Sequence, residues 1–150
     1  MTDFYKPYYE EYFRLIYPDG IDLQFEEFKN IALKIKINDG KLIFAGNGAS
    51  ASISAHGAVD FTKQGGVRAI TFNEANVITC FSNDYGYDHW VSEATKFYAK
   101  SNDAIVLISV SGESKSVVNA ALTAKDIGIP IITFSGRDKK NSLRSLGDIN

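Results

Sequence analysis

Aromatic and aliphatic residues open the chain in pairs, Phe4/Tyr5, Tyr8/Tyr9, Tyr12/Phe13 and Ile16/Tyr17. A repeat of four predicts a helix over residues 4–17 with a broad apolar stripe. The segment YPDG at 17–20 breaks it with turn chemistry. Leu23, Phe25, Phe28, Ile31, Leu33 and Ile35 predict a second helix from about Asp22 to Ile37, and NDG at 38–40 stops it.

Beyond residue 40 the pattern alternates between strand and helix. KLIFAG (41–46), VRAITF (67–72), DAIVLISV (103–110) and GIPIITFSG (128–136) read as buried strands. Helices are predicted over about 50–64, 74–83, 88–100 and 114–127. In the first of these, Ala51, Ala55, Ala58 and Val59 are expected to face the sheet. Strands joined by crossover helices imply a parallel sheet covered on both faces, with ligands bound beyond the carboxyl ends of the strands. LGDIN at 146–150 reads as the opening of one more strand. Two helices ahead of the sheet are more than its cover requires, so the division expected is 1–37, N-terminal helices forming an oligomer interface, and 38–150, an α/β domain. The tyrosines of the first helix suit such an interface.

Composition narrows the classes. A chain of 150 residues with 45% hydrophobic and 23% charged residues is one globular domain with a core. No apolar run approaches the ~20 residues of a membrane span. The acidic, aromatic N-terminus is unlike a secretory signal. The net charge of −2 argues against nucleic acid. Cys80, the single cysteine, excludes an internal disulfide and suits a cytoplasmic protein. Its apolar surroundings, NVITCF, predict a buried, inert thiol.

Candidate chemistry gathers at the strand ends. GNGASA satisfies G-x-G-x-x-A through Gly46, Gly48 and Ala51, a dinucleotide fingerprint. Its ribose-binding acid would have to be Glu74, further along than that fold usually places it. The second turn points elsewhere. SVSGESKS (109–116) sets Ser109, Ser111, Ser114 and Ser116 around Gly112. Hydroxyls and backbone N–H groups at a helix start suit a phosphate monoester, and a helix cap needs only one serine. The chain has no G-x-x-x-x-G-K-[ST] loop for a nucleoside triphosphate. His56 and Asp60, four apart, share a helix face. Such a pair can bind a divalent metal, transfer a proton, or form a plain surface hydrogen bond. The run RDKKNSLR (137–144) reads as a solvated loop that at most steers an anion.

GNGASASISAH followed by Asp60, NDYGYD at 83–88 and SVSGES at 109–114 together resemble the sugar isomerase (SIS) domain family, and within it the sedoheptulose 7-phosphate (phosphoheptose) isomerase branch. The likeness runs from about Glu26 to the end. It implies an α/β, flavodoxin-like three-layer sandwich with a central parallel sheet, a homotetramer, and a phosphorylated sugar as ligand. It also implies isomerisation of a ketose phosphate to an aldose phosphate, a step toward heptose in bacterial lipopolysaccharide or capsule. By position, Asn47, Gly48, Ser50, Ser109, Ser111 and Ser114 would hold the phosphosugar. Asp60 falls at the family's catalytic glutamate, and His56, with Asp60, at its zinc site. His89 matches no ligand of the family and is expected at the surface.

Three departures shape the expectations. Asp60 is one methylene shorter than glutamate, and Ala49 replaces a glycine of the first turn. The family's last strand and helix, which carry further zinc ligands and an acid–base histidine, are missing from the sequence. The expectation is that the protein continues beyond Asn150. The alternative is a non-catalytic phosphosugar-binding or protein-interaction module.

Overall fold

The computed structural model describes residues 4–16 and 18–150, so the predicted end of the first helix at Tyr17 lies outside the described residues. The chain runs α1 (Tyr5–Ile16), α2 (Ile21–Ile37), β1 (Leu42–Gly46), α3 (Ala49–Lys63), β2 (Ala69–Thr71), α4 (Ala75–Tyr85) and α5 (Trp90–Tyr98). It continues through β3 (Ala104–Ser109), α6 (Lys115–Ile127), β4 (Ile131–Ser135) and a 3-10 turn at Arg144–Leu146. Each predicted element is present, with ends shifted by a few residues.

The four strands form one parallel sheet in the order β2-β1-β3-β4. β1 and β3 are fully buried along their length, as central strands of a covered parallel sheet must be. Side chains alternate between the faces. Ile43, Ala45, Ile105, Leu107 and Ile131 meet Trp90, Val91 and Ala94 of α5 and Val117, Ala120, Ala121 and Ala124 of α6. Leu42, Phe44, Val106 and Ile132 meet Ala32 and Ile35 of α2 and Ala58 of α3. These layers are the three-layer α/β sandwich expected from the sequence. Each fully buried Leu or Ile in them contributes roughly 1.5–3 kcal/mol.

Two readings change here. Of the two helices expected to be surplus, α2 covers the sheet and only α1 has no buried residue. On α3 the inward positions are Ser50, Ser54 and Ala58, one every turn, while Val59 is exposed and Ala51 and Ala55 are half-buried. Small residues on that face let α3 lie close to β1: a Cβ on Gly57 would already come within 3.1 Å of the Phe44 ring.

The final residues run alongside β4. Ile149 bridges Ile132 in parallel, and Thr133 N–H donates to the Ile149 carbonyl at 2.8 Å. LGDIN therefore begins a fifth position in the sheet, as its pattern predicts. No helix among the described residues is long and apolar enough to cross a membrane.

Candidate functional site

A parallel sheet turns all its carboxyl ends to one edge, so the turns after β1 and β3, neighbouring strands, are brought side by side. After β1 the chain passes through Asn47 and Gly48 into α3. Gly48 has φ 58° and ψ −125°, a conformation that a side chain rarely tolerates. After β3 it passes through Ser109–Ser114 into α6.

The two turns are stitched together by Asn47. Its amide Nδ2 donates to Ser114 Oγ and to Ser116 Oγ, both at 2.9 Å, and its Oδ1 accepts from the Tyr87 hydroxyl at 3.2 Å. Ser114 occupies the N-cap position of α6, yet its hydroxyl makes no capping bond. It turns toward Asn47 instead, so helix capping does not account for it. Ser116 is buried beneath the turn and serves the Asn47 network.

Between the turns lies a cavity of about 350 Å³ lined by Asn47, Ala49, Ser50, Ile108, Ser109, Val110, Ser111, Ser114 and Arg137. The structure thus brings together five of the predicted ligand-binding residues. Gly48 does not line the cavity; it shapes the turn beside it. Ser109 Oγ accepts from Gly112 N–H, and Ser111 Oγ from Glu113 N–H, both at 3.2 Å. Each hydroxyl keeps its proton for a ligand, as an oxyanion requires. A larger, mostly apolar groove of about 840 Å³ adjoins the cavity through Ser50, Ile108, Val110 and Arg137.

The serine turn rests on the segment after β4. Glu113 accepts from the Ser142 amide at 2.7 Å and from its hydroxyl at 2.6 Å. The Ser142 hydroxyl, then its amide, hold the Glu113 carboxyl below the usual carboxylate range. Leu143 N–H donates to the Gly112 carbonyl at 2.9 Å. Leu143 is fully buried and Asn141 is 3% exposed, so 137–144 is only in part the solvated loop its charges suggest.

His56 and Asp60 stand apart from the cavity. Nε2 and Oδ2 approach to 3.4 Å on an exposed face of α3. No group of three or more His, Cys, Asp or Glu that could hold a metal occurs among the described residues. A zinc site takes three or four protein ligands, so this pair alone falls short of one.

His89 is exposed as expected, at the N-cap of α5. Cys80 is exposed, contrary to expectation: the inward side of α4 is Val77, Ile78 and Phe81, and the helical repeat turns Cys80 outward. Two residues of the site have no role in the sequence reading: Arg137, which lines the cavity from within a run of charges, and Tyr87, which bonds Asn47 and belongs to a motif that bears only on the family resemblance. Only the fold places them.

The fold is a doubly wound α/β domain, and its hydroxyl-lined cradle at adjacent strand tips has the chemistry that suits a small oxyanion. The chain belongs to the SIS domain family, whose model matches residues 24–136. Phosphoheptose isomerase from Helicobacter pylori (strain HPAG1) is 36% identical over 107 residues, 67% of this chain and 56% of that protein. The chain thus spans little more than half the length of that relative. The structure of phosphoheptose isomerase from Neisseria gonorrhoeae matches with a TM-score of 0.72 at 30% identity, over 85% of this chain and 68% of that one. A phosphoheptose isomerase from Francisella tularensis matches with a TM-score of 0.78 over 87% of this chain and 71% of that one. At 20% identity it speaks for the fold alone.

Proposed function

We propose that this protein is a phosphosugar aldose–ketose isomerase converting sedoheptulose 7-phosphate to heptose 7-phosphate, toward bacterial surface polysaccharide. The observation that carries the reading is the cavity into which Ser50, Ser109, Ser111 and Ser114 converge from two strand tips. Relatives that carry the name phosphoheptose isomerase support it.

In this reading the phosphate occupies the serine cradle and the sugar runs along α3. Asp60 follows Ser50 by ten residues, about 15 Å of helix. A seven-carbon sugar anchored by its terminal phosphate spans more of that separation than a shorter one, and the Asp60 side chain has to cover the rest. Asp60 takes a proton from the carbon beside the carbonyl, giving an enediolate. The same carboxyl returns the proton to the former carbonyl carbon, while a second proton passes between the two oxygens. The proton balance closes within the sugar and its base, without an oxidant. His56, 3.4 Å from Asp60, orients the carboxylate. Hydrogen-bond donors around the developing oxyanion lower the barrier. His56 and Asp60 would supply two of the ligands a zinc ion needs, and a bound zinc would stabilise the developing oxyanion. We further propose that α1, exposed along its length, is covered by other copies in a homotetramer.

A non-catalytic binding module is the second reading. It is favoured by the position of Asp60, which lies outside the cavity and paired with His56. Incubation with sedoheptulose 7-phosphate in D2O separates the two. The isomerase reading expects aldose formation and deuterium at the exchanged carbon, both lost by at least about a hundredfold in Asp60→Asn with binding retained. Tight binding of the ketose phosphate by the unaltered protein, with neither turnover nor deuterium uptake, would establish the module.

A further inference from the structure

The cradle has one feature that the serines do not explain. Among the described residues, Arg137 is the only ionisable one lining it. Every other lining side chain is neutral, whereas a phosphate monoester at neutral pH carries close to two negative charges. Hydroxyls and helix dipoles stabilise such charge without cancelling it.

Arg137 is placed and left unused. Gly136 N–H donates to the Val110 carbonyl at 3.0 Å, tying the residue before Arg137 to the serine turn. The segment beyond is fixed by Asn141, whose amide donates to Ser135 Oγ at 2.9 Å and to the Asp138 carbonyl at 2.7 Å. The neighbouring Asp138 carboxylate accepts from Lys140 N–H at 2.8 Å within its own turn. Among the described residues, the Arg137 guanidinium makes no hydrogen bond or ion pair. The nearest rivals are committed or displaced. Lys115, beside Ser114, pairs with Asp88 at 3.4 Å, and Lys139 and Arg144 line the larger groove and not the cradle.

Its backbone adds a second observation. Arg137 has φ 54°, one of two non-glycine residues in the left-handed region among the described residues. Glycine would adopt that conformation with less strain. An arginine held there, without a partner, on the wall of a hydroxyl-lined cavity points to a ligand as the missing partner.

We propose that Arg137 is the counter-charge of the cradle and a binding residue for the dianionic phosphate of the substrate, resting on the phosphosugar reading above. The guanidinium remains charged at every working pH and presents paired N–H donors that match phosphate oxygens. Affinity then depends on the phosphate's charge, and the unphosphorylated sugar binds without help from Arg137.

Titration calorimetry with sedoheptulose 7-phosphate and with inorganic phosphate, at several salt concentrations, tests this on the whole chain. Arg137→Gly relieves the backbone, so its melting temperature is expected to equal or exceed that of the unaltered protein. Its affinity for both ligands is expected to fall by about ten- to a hundredfold, the range of a lost charged hydrogen bond. The salt dependence of binding should weaken with it. Arg137→Lys should recover part of the affinity and the salt dependence.

Equal affinity and salt dependence in Arg137→Gly would overturn the role of Arg137 while leaving the cradle reading intact. Failure of the unaltered protein to bind either ligand would remove both. A loss of affinity with a lowered melting point, unchanged salt dependence and no recovery in Arg137→Lys would make the residue structural and refute the proposal.

Discussion

At Gly112 the backbone has φ 69°, and a Cβ there would fall 2.0 Å from Asn141 Oδ1 and 2.7 Å from its Cβ. Asn141 cannot give way cheaply, because it is buried and bonded to Ser135, Asp138 and Arg144. Gly112→Ala is therefore expected to cost about 2–3 kcal/mol, read from the urea midpoint, and to weaken phosphate binding by displacing Ser111 and Ser114. An unchanged midpoint and affinity would show that the turn does not depend on this contact. The serines themselves were legible in the sequence, since four hydroxyls around a glycine at a strand end exceed what capping needs. Arg137 was not legible, because in a run of charged residues the chemistry of one depends on which face the fold gives it. Cys80 misled for the same reason. Its apolar neighbours describe α4 as a whole, and the repeat decides which of them turns inward.

Elements were read more securely than residues, because hydrophobic periodicity is repeated along each one. The strands stand where their apolar runs place them, and LGDIN begins the pairing its pattern suggests. The inward face of α3 differs from the expected one because its small residues carry little hydrophobic contrast, and the close approach to Phe44 leaves no room for a Cβ at Gly57 without a shift. The two N-terminal helices differ in a way the pattern did not reveal. α2 contributes Ala32 and Ile35 to the core, while along α1 Tyr8 stacks on Tyr12 at 6.4 Å and, at its start, on the preceding Phe4 at 5.8 Å, with all three exposed. Such an exposed apolar face is what the proposed assembly would cover. Tyr8→Lys with Tyr12→Lys is expected to shift the mass measured by light scattering from a multimer toward a monomer, without changing the secondary structure seen by circular dichroism. A monomeric unaltered protein, or a doubly substituted one that assembles as before, would remove α1 from the interface.

On the scale of the molecule, the place of the candidate site follows from sheet topology. Four parallel strands direct every strand tip to one edge, and the crossovers make the turns after β1 and β3 neighbours although more than sixty positions separate them in the chain. The serine turns, the Asn47 stitch, the Glu113–Ser142 support and the overhanging Arg137 all lie at that edge. Asp60 lies further along α3, outside the cavity, and only the proposed reading extends the sugar toward it. The most direct measurement is a crystal structure of the chain with sedoheptulose 7-phosphate. The phosphate is expected within hydrogen-bond distance of Ser109, Ser111 and Ser114 with the Arg137 guanidinium against it, and the carbonyl end directed along α3. A phosphate seated elsewhere, with the cradle filled by the protein's own side chains, would contradict it.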